Sequence, residues 1–166
     1  MGNITYTKID IPEEQISDLY RRLSDTRWPA SPAGPAWEYG TSRVYLREVV
    51  DYWLNQFNWR ENEAFLNQYT HVLAPYEGRL VHAVVVKAEE SRRPPLVCAH
   101  GWPGSFIEFL EVAERLAHPE KFGGIPEDGM DVVIVSLPGC GLSSTPVKPI
   151  SPREIAREWV YLAQSL

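Results

Sequence analysis

The segment from residue 100 to residue 105 has residue types that could aim a backbone amide at a reacting oxygen. It lies between a short apolar run and a stretch with helical periodicity, and it reads His100, Gly101, Trp102, Pro103, Gly104, Ser105. Since Pro103 has no amide hydrogen, the backbone N–H of Trp102 is the natural donor to an oxyanion in a tight turn. His100, Gly101, Pro103 and Gly104 would shape that turn. An isolated His-Gly pair more often marks an ordinary strand-to-helix turn, so the pattern alone leaves both interpretations open.

Other side chains that could do chemistry favour structural roles. His71 and His82 fall on predicted strands without acidic partners at metal-ligand spacing, which favours histidines with hydrogen-bond partners over metal ligands. Ser105 lacks the glycine frame of a serine nucleophile and fits the first turn of a helix. Cys140 has no neighbouring histidine or cation to activate its thiol, so it is expected to be inert. The sequence therefore predicts neither a metal site nor a cofactor.

The candidate turn is positioned by two buried strands and a helix. Leu96–Ala99 and the run from Asp131 to Leu137 are apolar enough to predict strands covered on both faces of a parallel sheet. Helical spacing from Phe106 predicts a helix after the turn. A further helix is expected from Ser151, where an N-cap serine, Pro152 and Glu154 stand in the order of a capping box.

A pair of antiparallel strands is expected upstream of these elements. Residues 70–76 are predicted to be extended, Glu77 and Gly78 to form a turn, and residues 80–87, which are rich in valine, to form the second strand. The chain from residue 70 onward thus alternates strands with helices, which is typical of an α/β sheet.

The first seventy residues are predicted to be largely helical. One helix is expected from Ile11 to Leu23, a second is capped by Ser42, and a third starts at an Asn58–Glu61 capping box. The second helix carries an apolar stripe broad enough to predict burial of most of one side. The segment from Trp28 to Gly40 has no period and is expected to wrap against another surface. The six tryptophans are expected to fill the core.

Composition limits the classes of partner. The chain has 166 residues, 44% hydrophobic and 23% charged, as expected for a globular domain. Its net charge of -6 argues against binding nucleic acid or an anionic membrane surface. We identify no signal peptide, and the apolar runs are much shorter than the ~20 residues that span a bilayer. Two cysteines without a spacing pattern favour a reducing cytoplasm, and the expected partner is a neutral small molecule or another protein.

Taken together, several segments of the chain resemble the microsomal-type epoxide hydrolases, including the juvenile hormone epoxide hydrolases. The matching segments are Arg27–Pro29, Trp37 with Tyr39 and Gly40, Leu46–Arg60, Leu66–Tyr69, His100–Phe109 and Ser136–Ser144. Two positions depart from the family pattern: Cys140 replaces an aromatic residue, and Val135 replaces a common proline.

The resemblance implies an α/β-hydrolase fold and a two-step reaction. Residues 1–69 would be the family's helical N-terminal domain with its wrapping segment, and residues 70–166 the first half of the hydrolase domain, with an incomplete sheet. In the family, an aspartate attacks a small apolar epoxide while tyrosines protonate its oxygen, and a histidine-activated water then cleaves the ester. The resemblance assigns the Trp102 amide to the oxyanion hole of the second step and requires no cofactor.

The family's aspartate follows the helix that starts at Ser151, so it is expected outside these 166 residues together with the histidine, its acid partner and the tyrosines. The chain alone is therefore predicted to be inactive. Alternatively, it is a half-enzyme or interaction module that completes its sheet with another chain, or associates with itself, through the edge of Leu96–Ala99. A third possibility is a nonfunctional remnant.

Overall fold

The structure is a computed structural model, and it describes residues 3–30, 37–91 and 93–166. The chain divides into two compact units. One combines the stretch up to Ile9 with Leu66–Leu166, and the other is Asp10–Phe65. The domain boundary between residues 69 and 70 stays a prediction.

Three helices come first in the chain, as the periodicity predicts. They are α1 (Glu13–Ser24), α2 (Arg43–Asn55) and α3 (Trp59–Leu66). The Ser42 hydroxyl accepts a hydrogen bond from the Tyr45 amide at 3.4 Å, and the Asn58 side-chain oxygen accepts one from the Arg60 amide at 3.0 Å. Both side chains satisfy amides that have no partner inside the helix, which confirms the two predicted helix starts.

A buried carboxylate ties the helical unit together. One oxygen of Glu63 accepts hydrogen bonds from the Ile11 amide at 2.8 Å and from the Trp59 indole at 3.1 Å. The other oxygen accepts from Arg60 at 2.6 Å. The backbone donor at Ile11, followed by the Arg60 guanidinium, lowers the pKa of Glu63. Glu63 therefore connects the chain just before α1 to α3 as an ionised group.

The prediction of a buried stripe on α2 is wrong. None of the residues of α2, all of which the structure describes, is buried. Six of its large apolar side chains are 37–65% exposed, and Val50 and Leu54 are half-buried. An apolar stripe indicates which face can be covered, but burial requires a neighbouring surface to cover it. The prediction that the tryptophans fill the core is wrong for Trp37, Trp53 and Trp102, which are exposed, whereas Trp159 is partly buried and packs against the core.

The predicted wrapping segment is described only at its two ends, because residues 31–36 lie outside the described residues. At the first end, the Arg47 guanidinium lies 5.3 Å from the centre of the Trp28 ring. At the second, the Trp37 and Tyr45 rings are 5.3 Å apart. Both ends therefore contact side chains of α2.

The other unit contains a five-stranded mixed sheet. Its strands are β1 (Thr5–Thr7), β2 (Thr70–Tyr76), β3 (Arg79–Val86), β4 (Leu96–Ala99) and β5 (Val132–Val135), in the order β1-β2-β3-β5-β4. The pairs β1–β2, β2–β3 and β3–β5 are antiparallel, and β4–β5 is parallel. Strand β1 was not predicted, because its three residues are too few to show a two-residue period.

The turn between β2 and β3 confirms the predicted hairpin. Glu77 and Gly78 have φ angles of 46° and 76°, both in the left-handed region. A two-residue turn of this kind matches the right-handed twist of the strands that it joins. The hairpin register follows directly, with His71 opposite Val84 and Leu73 opposite His82.

The core of this unit lies between the sheet and a helix. All four residues of β5 are buried, as are the last six of β3. Helix α5 (Pro152–Ser165) starts at the predicted Ser151–Glu154 capping box and places the fully buried Leu162 in the core. The predicted helix after the candidate turn consists of a 3-10 turn, Phe106–Phe109, followed by α4 (Leu110–Ala117).

Strand β4 does not have the predicted cover on both faces. Leu96 and Val97 are each 39% exposed, and Cys98 and Ala99 are half-buried. The reason is its position, because β4 lies at the end of the strand order and pairs with β5 on one side. The residue pattern indicates an apolar strand, and the expectation of an open edge at Leu96–Ala99 comes from the family resemblance.

A buried ion pair joins α5 to the start of β3. Glu158 has 2% of its side chain exposed and Arg79 has 17%, and the guanidinium contacts the carboxylate. Burial raises the pKa of Glu158, while the Arg79 charge opposes that rise. The carboxylate therefore depends on Arg79 to remain ionised inside the protein.

Candidate active site

Two loops leave the sheet side by side. Strands β4 and β5 are parallel, with Ala99 opposite Val135. The turn beginning at His100 and the loop beginning at Ser136 therefore emerge at the same end of the sheet, beyond the carboxyl ends of neighbouring strands. This is the end at which open α/β sheets commonly bind ligands.

His100 connects the two loops. Its Nε2 accepts a hydrogen bond from the Leu137 amide at 3.2 Å, and its Nδ1 lies 3.1 Å from the Gly101 carbonyl oxygen. Because Nε2 accepts and a carbonyl cannot donate, the ring proton must be on Nδ1. The buried imidazole is therefore held as a single neutral tautomer that donates to Gly101.

The Gly101 carbonyl fixes the direction of the next amide. It accepts a second hydrogen bond from the Gly104 amide at 2.7 Å. The C=O and N–H groups of a trans peptide point in opposite directions, so the Trp102 N–H points away from the His100 ring. Across residues 3–30, 37–91 and 93–166, the structure gives the Trp102 N–H no acceptor. A directed amide without a partner is what the predicted oxyanion donor requires.

The remaining residues of the turn hold its shape. The Trp102–Pro103 peptide bond is cis, and the Trp102 side chain is 86% exposed. Ser105 forms a capping box with Glu108, whose carboxylate accepts from the Ser105 amide at 3.2 Å. A side chain at Gly104 would collide with that carboxylate. Ser105 is thus the N-cap, one residue before the predicted first-turn position.

The second loop, Ser136–Ser144, runs back along β3. The Ser136 amide donates to the His82 carbonyl at 2.9 Å, and the Ser144 amide donates to the Leu80 carbonyl at 2.9 Å. The Ser143 hydroxyl accepts from the His82 amide at 2.9 Å. These bonds hold the loop on the β3 side of the His100–Ser105 turn.

A chain of buried polar groups lies beneath this loop. His71 Nε2 is 2.9 Å from the Leu66 carbonyl, His71 Nδ1 is 3.0 Å from His82 Nε2, and His82 Nδ1 is 2.7 Å from the Ser136 hydroxyl. Both histidines and Ser136 are buried. The preference for histidines with hydrogen-bond partners is confirmed, but their connection to each other and to Ser136 was missed. The hairpin register contains the signal, because two residues offset by two positions across paired strands share one face.

Burial holds His82 in its neutral form. Desolvation, followed by the proximity of His71, lowers the pKa of His82 from 6.5 to about 3. Between these two values, unfolded protein binds a proton at His82 that folded protein does not bind. The contribution of His82 to stability is thus fully present above pH 6.5 and is lost as the pH falls toward 3.

We expect this difference to appear in urea unfolding. Lowering the pH from 7 to 5 should cost the wild-type chain about 2 kcal/mol more than the His82→Asn variant, which cannot titrate at this position. The comparison between the two chains removes the contribution of titrating groups that do not contact His82. An equal loss in both chains would show that His82 is protonated in the folded state at pH 5.

Both cysteines are free thiols, and burial raises the pKa of Cys98. The inertness of Cys140 stays a prediction. Within the described part of the chain, no three His, Cys, Asp or Glu side chains come together in a way that could hold a metal ion. Among the same residues, no helix has both the length and the apolar character to cross a membrane.

The mixed sheet, the two loops at the carboxyl ends of β4 and β5 and the flanking helices define an incomplete α/β-hydrolase domain. Residues 4–109 match the family model described as the epoxide hydrolase N terminus. The chain belongs to the epoxide hydrolase family, as the sequence motifs predicted, and corresponds to an N-terminal portion of its members.

Curated relatives agree with this assignment. The chain is 37% identical over 164 residues to a putative epoxide hydrolase of Stigmatella aurantiaca, covering 98% of this chain and 37% of that protein. It is 36% identical to juvenile hormone epoxide hydrolase 1 of Ctenocephalides felis, covering 86% of this chain and 31% of that protein. The chain thus spans about a third of the length of these relatives.

Solved structures share the fold. The juvenile hormone epoxide hydrolase of Bombyx mori matches with a TM-score of 0.87 and 27% identity, over 98% of this chain and 39% of that one. The Aspergillus niger epoxide hydrolase matches with a TM-score of 0.84 and 27% identity, over 97% of this chain and 42% of that one.

Proposed function

We propose that this chain supplies the oxyanion-hole loop and the N-terminal helices of an enzyme that hydrolyses small apolar epoxides to vicinal diols. In this role, the Trp102 N–H stabilises the oxyanion that forms when water attacks the ester intermediate. His100, Gly101, Pro103 and Gly104 shape the turn that presents it. The physiological purpose we propose is the removal of reactive epoxides.

One observation carries the proposal: the Gly101 carbonyl is held by two donors, His100 Nδ1 at 3.1 Å and the Gly104 amide at 2.7 Å. This arrangement fixes the peptide plane before any substrate arrives, so the Trp102 amide needs no reorganisation during the reaction. Such preorganised donors are among the largest contributions to catalysis of acyl transfer.

A second candidate function rests on the edge of β4. Leu96 and Val97 are partly exposed on an apolar strand whose outer edge can pair with a further strand. We propose as the alternative that the chain works as one half of an enzyme whose sheet is completed by a separate polypeptide, or that it associates with itself through this edge. A nucleic-acid or membrane partner is not proposed, because the net charge is -6.

We also propose a reducing compartment such as the cytoplasm. Cys98 and Cys140 are both free, and a reducing compartment keeps such thiols unpaired. No residue of the chain is proposed to hold a cofactor.

A fusion protein tests the main proposal. Residues 1–166 would be joined to the part of the Stigmatella aurantiaca relative that lies beyond the region matching this chain, and diol formation from styrene oxide would be measured. We expect turnover by the fusion and none by the 166-residue chain alone. A folded but inactive fusion would contradict the proposed function, and diol formation by the chain alone would contradict its predicted inactivity.

The same two pieces, produced as separate polypeptides, distinguish the alternative. If the chain is one half of an enzyme, mixing the pieces should restore diol formation and give a joint peak in size-exclusion chromatography. Two independent peaks without activity would exclude completion by a separate chain with this partner.

A further inference from the structure

When both rings are neutral, the direction of every hydrogen bond in the buried His71–His82–Ser136 chain follows from one group. The Leu66 carbonyl can only accept, so His71 Nε2, 2.9 Å away, carries the proton of that ring. His71 Nδ1 must then accept, and His82 Nε2, 3.0 Å away, donates to it. His82 Nδ1 is left without a proton and accepts from the Ser136 hydroxyl at 2.7 Å. In this arrangement the protons point in one sequence from Ser136 to Leu66.

The packing around His71, His82 and Ser136 leaves these side chains no room to rearrange. The Phe106 ring meets both imidazoles edge-on, with centroid distances of 5.7 Å to His71 and 5.3 Å to His82. Gly141 covers the hydrogen bond between Ser136 and His82, because a side chain there would lie 2.7 Å from the serine oxygen and 2.9 Å from His82 Nδ1. Gly141 also has a φ of 54°, in the left-handed region. The Ser136–Ser144 loop is thus shaped to close over the His82 ring.

The end of β5 is held from both neighbouring strands. On the β3 side, His82 Nδ1 is hydrogen-bonded to the Ser136 hydroxyl, and the His82 carbonyl accepts from the Ser136 amide. On the β4 side, His100 accepts from the Leu137 amide. Ser136 and Leu137 are therefore hydrogen-bonded to the imidazoles of His82 and His100, respectively. The His100 imidazole also orients the Gly101 carbonyl.

We propose that His82 is a positioning residue whose neutral imidazole, backed by His71, holds Ser136 and thereby fixes the Ser136–Ser144 loop beside the His100–Ser105 turn. Its value for catalysis rests on the proposed function, whereas the hydrogen-bond chain itself does not. The low pKa of His82 agrees with this role, because a protonated ring could no longer accept from Ser136.

The first test needs no substitution. Long-range ¹H–¹⁵N correlation spectra of the ¹⁵N-labelled chain at pH 7 report which nitrogen of each histidine carries the proton. We expect the Nε2–H tautomer for His71 and His82 and the Nδ1–H tautomer for His100. A charged His82 ring, or a proton on its Nδ1, would overturn the proposal, because either form lacks an acceptor for the Ser136 hydroxyl.

The second test separates positioning from filling of space. In His82→Asn, the side-chain oxygen can reach the place of Nδ1 and accept from Ser136, whereas in His82→Gln the amide reaches the place of Nε2 and keeps only the bond to His71. Hydrogen exchange of peptides covering residues 136–144 should accelerate at least about tenfold in His82→Gln, since a lost buried hydrogen bond exposes the loop to opening. It should stay near the wild-type rate in His82→Asn.

Peptides covering residues 118–125, whose turns contain their own backbone hydrogen bonds, provide the internal control. Equal exchange in the two variants would overturn the proposal and leave His82 as a residue that fills the core. If both variants fail to fold, the tautomers measured in the wild-type chain decide whether the proposal holds. Neither test measures activity, so an inactive fusion would not contradict the positioning role of His82. Likewise, an unexpected His82 tautomer would not contradict the assignment of the Trp102 amide to the oxyanion hole.

Discussion

Replacing Trp102 by proline in the fusion enzyme should slow hydrolysis of the ester intermediate by about 100- to 1000-fold, the usual cost of losing one oxyanion-hole donor. Proline removes the amide hydrogen that the Gly101 peptide directs outward. In the reaction proposed here, the oxyanion forms only when water attacks the ester, so attack on the epoxide should be affected far less. The intermediate should then accumulate, and intact-protein mass spectrometry would detect enzyme carrying one bound substrate.

Trp102→Ala is the matched control, because it removes the same exposed side chain but retains the backbone N–H. We expect it to hydrolyse the ester within a few-fold of the wild-type rate. Circular dichroism and thermal unfolding of both variants would establish that the substitutions in the turn have not disrupted the sheet. Equal slowing in both variants, without accumulation of the intermediate, would show that the Trp102 amide is not an oxyanion donor.

Replacing Arg79 by leucine should lower the free energy of unfolding by about 3 kcal/mol at pH 7, because it leaves the Glu158 carboxylate buried without a counter-charge. Urea unfolding followed by tryptophan fluorescence would measure the loss. Without Arg79, burial alone acts on Glu158 and raises its pKa further, so the folded variant binds a proton more tightly than the unfolded one. The deficit should therefore shrink as the pH is lowered from 7 toward 5.

The double variant, Arg79→Leu with Glu158→Leu, provides the control for this pair. Replacing both charges by apolar groups of similar size is often neutral or stabilising, so the double variant should recover most of the lost stability. A double variant that is less stable than Arg79→Leu alone would contradict the expected dependence of Glu158 on Arg79.

The parts of the fold that follow local rules could be predicted from the sequence. Side-chain caps at Ser42, Asn58 and Ser151 indicate where helices begin, since each satisfies amides within its own first turn. The hairpin turn at Glu77 and Gly78 similarly depends on neighbouring residues. Features set by distant surfaces could not be predicted from the residue pattern, among them the exposure of α2 and of Leu96 and Val97 in β4.

The candidate site shows the same division. The composition of the turn around Trp102 identified the amide as a candidate donor, because the absence of an N–H at Pro103 is a local property. The bond from the Leu137 amide to His100 Nε2 joins residues 37 positions apart. It exists because the sheet places β5 next to β4, an adjacency that the residue pattern alone does not specify. The histidine chain could have been found from the hairpin register, had the two faces of β2 and β3 been compared.

The strand order also constrains how the chain assembles during synthesis. Strand β4 is made before β5, yet among the described strands it pairs with β5. Residues 96–99 therefore leave the ribosome before residues 132–135 and have no β5 strand to pair with until those residues have also been made. Because β5 must insert between β3 and β4, the β2–β3 hairpin can form first, whereas the turn that carries Trp102 gains its rigid support only after residues 132–137 have been made.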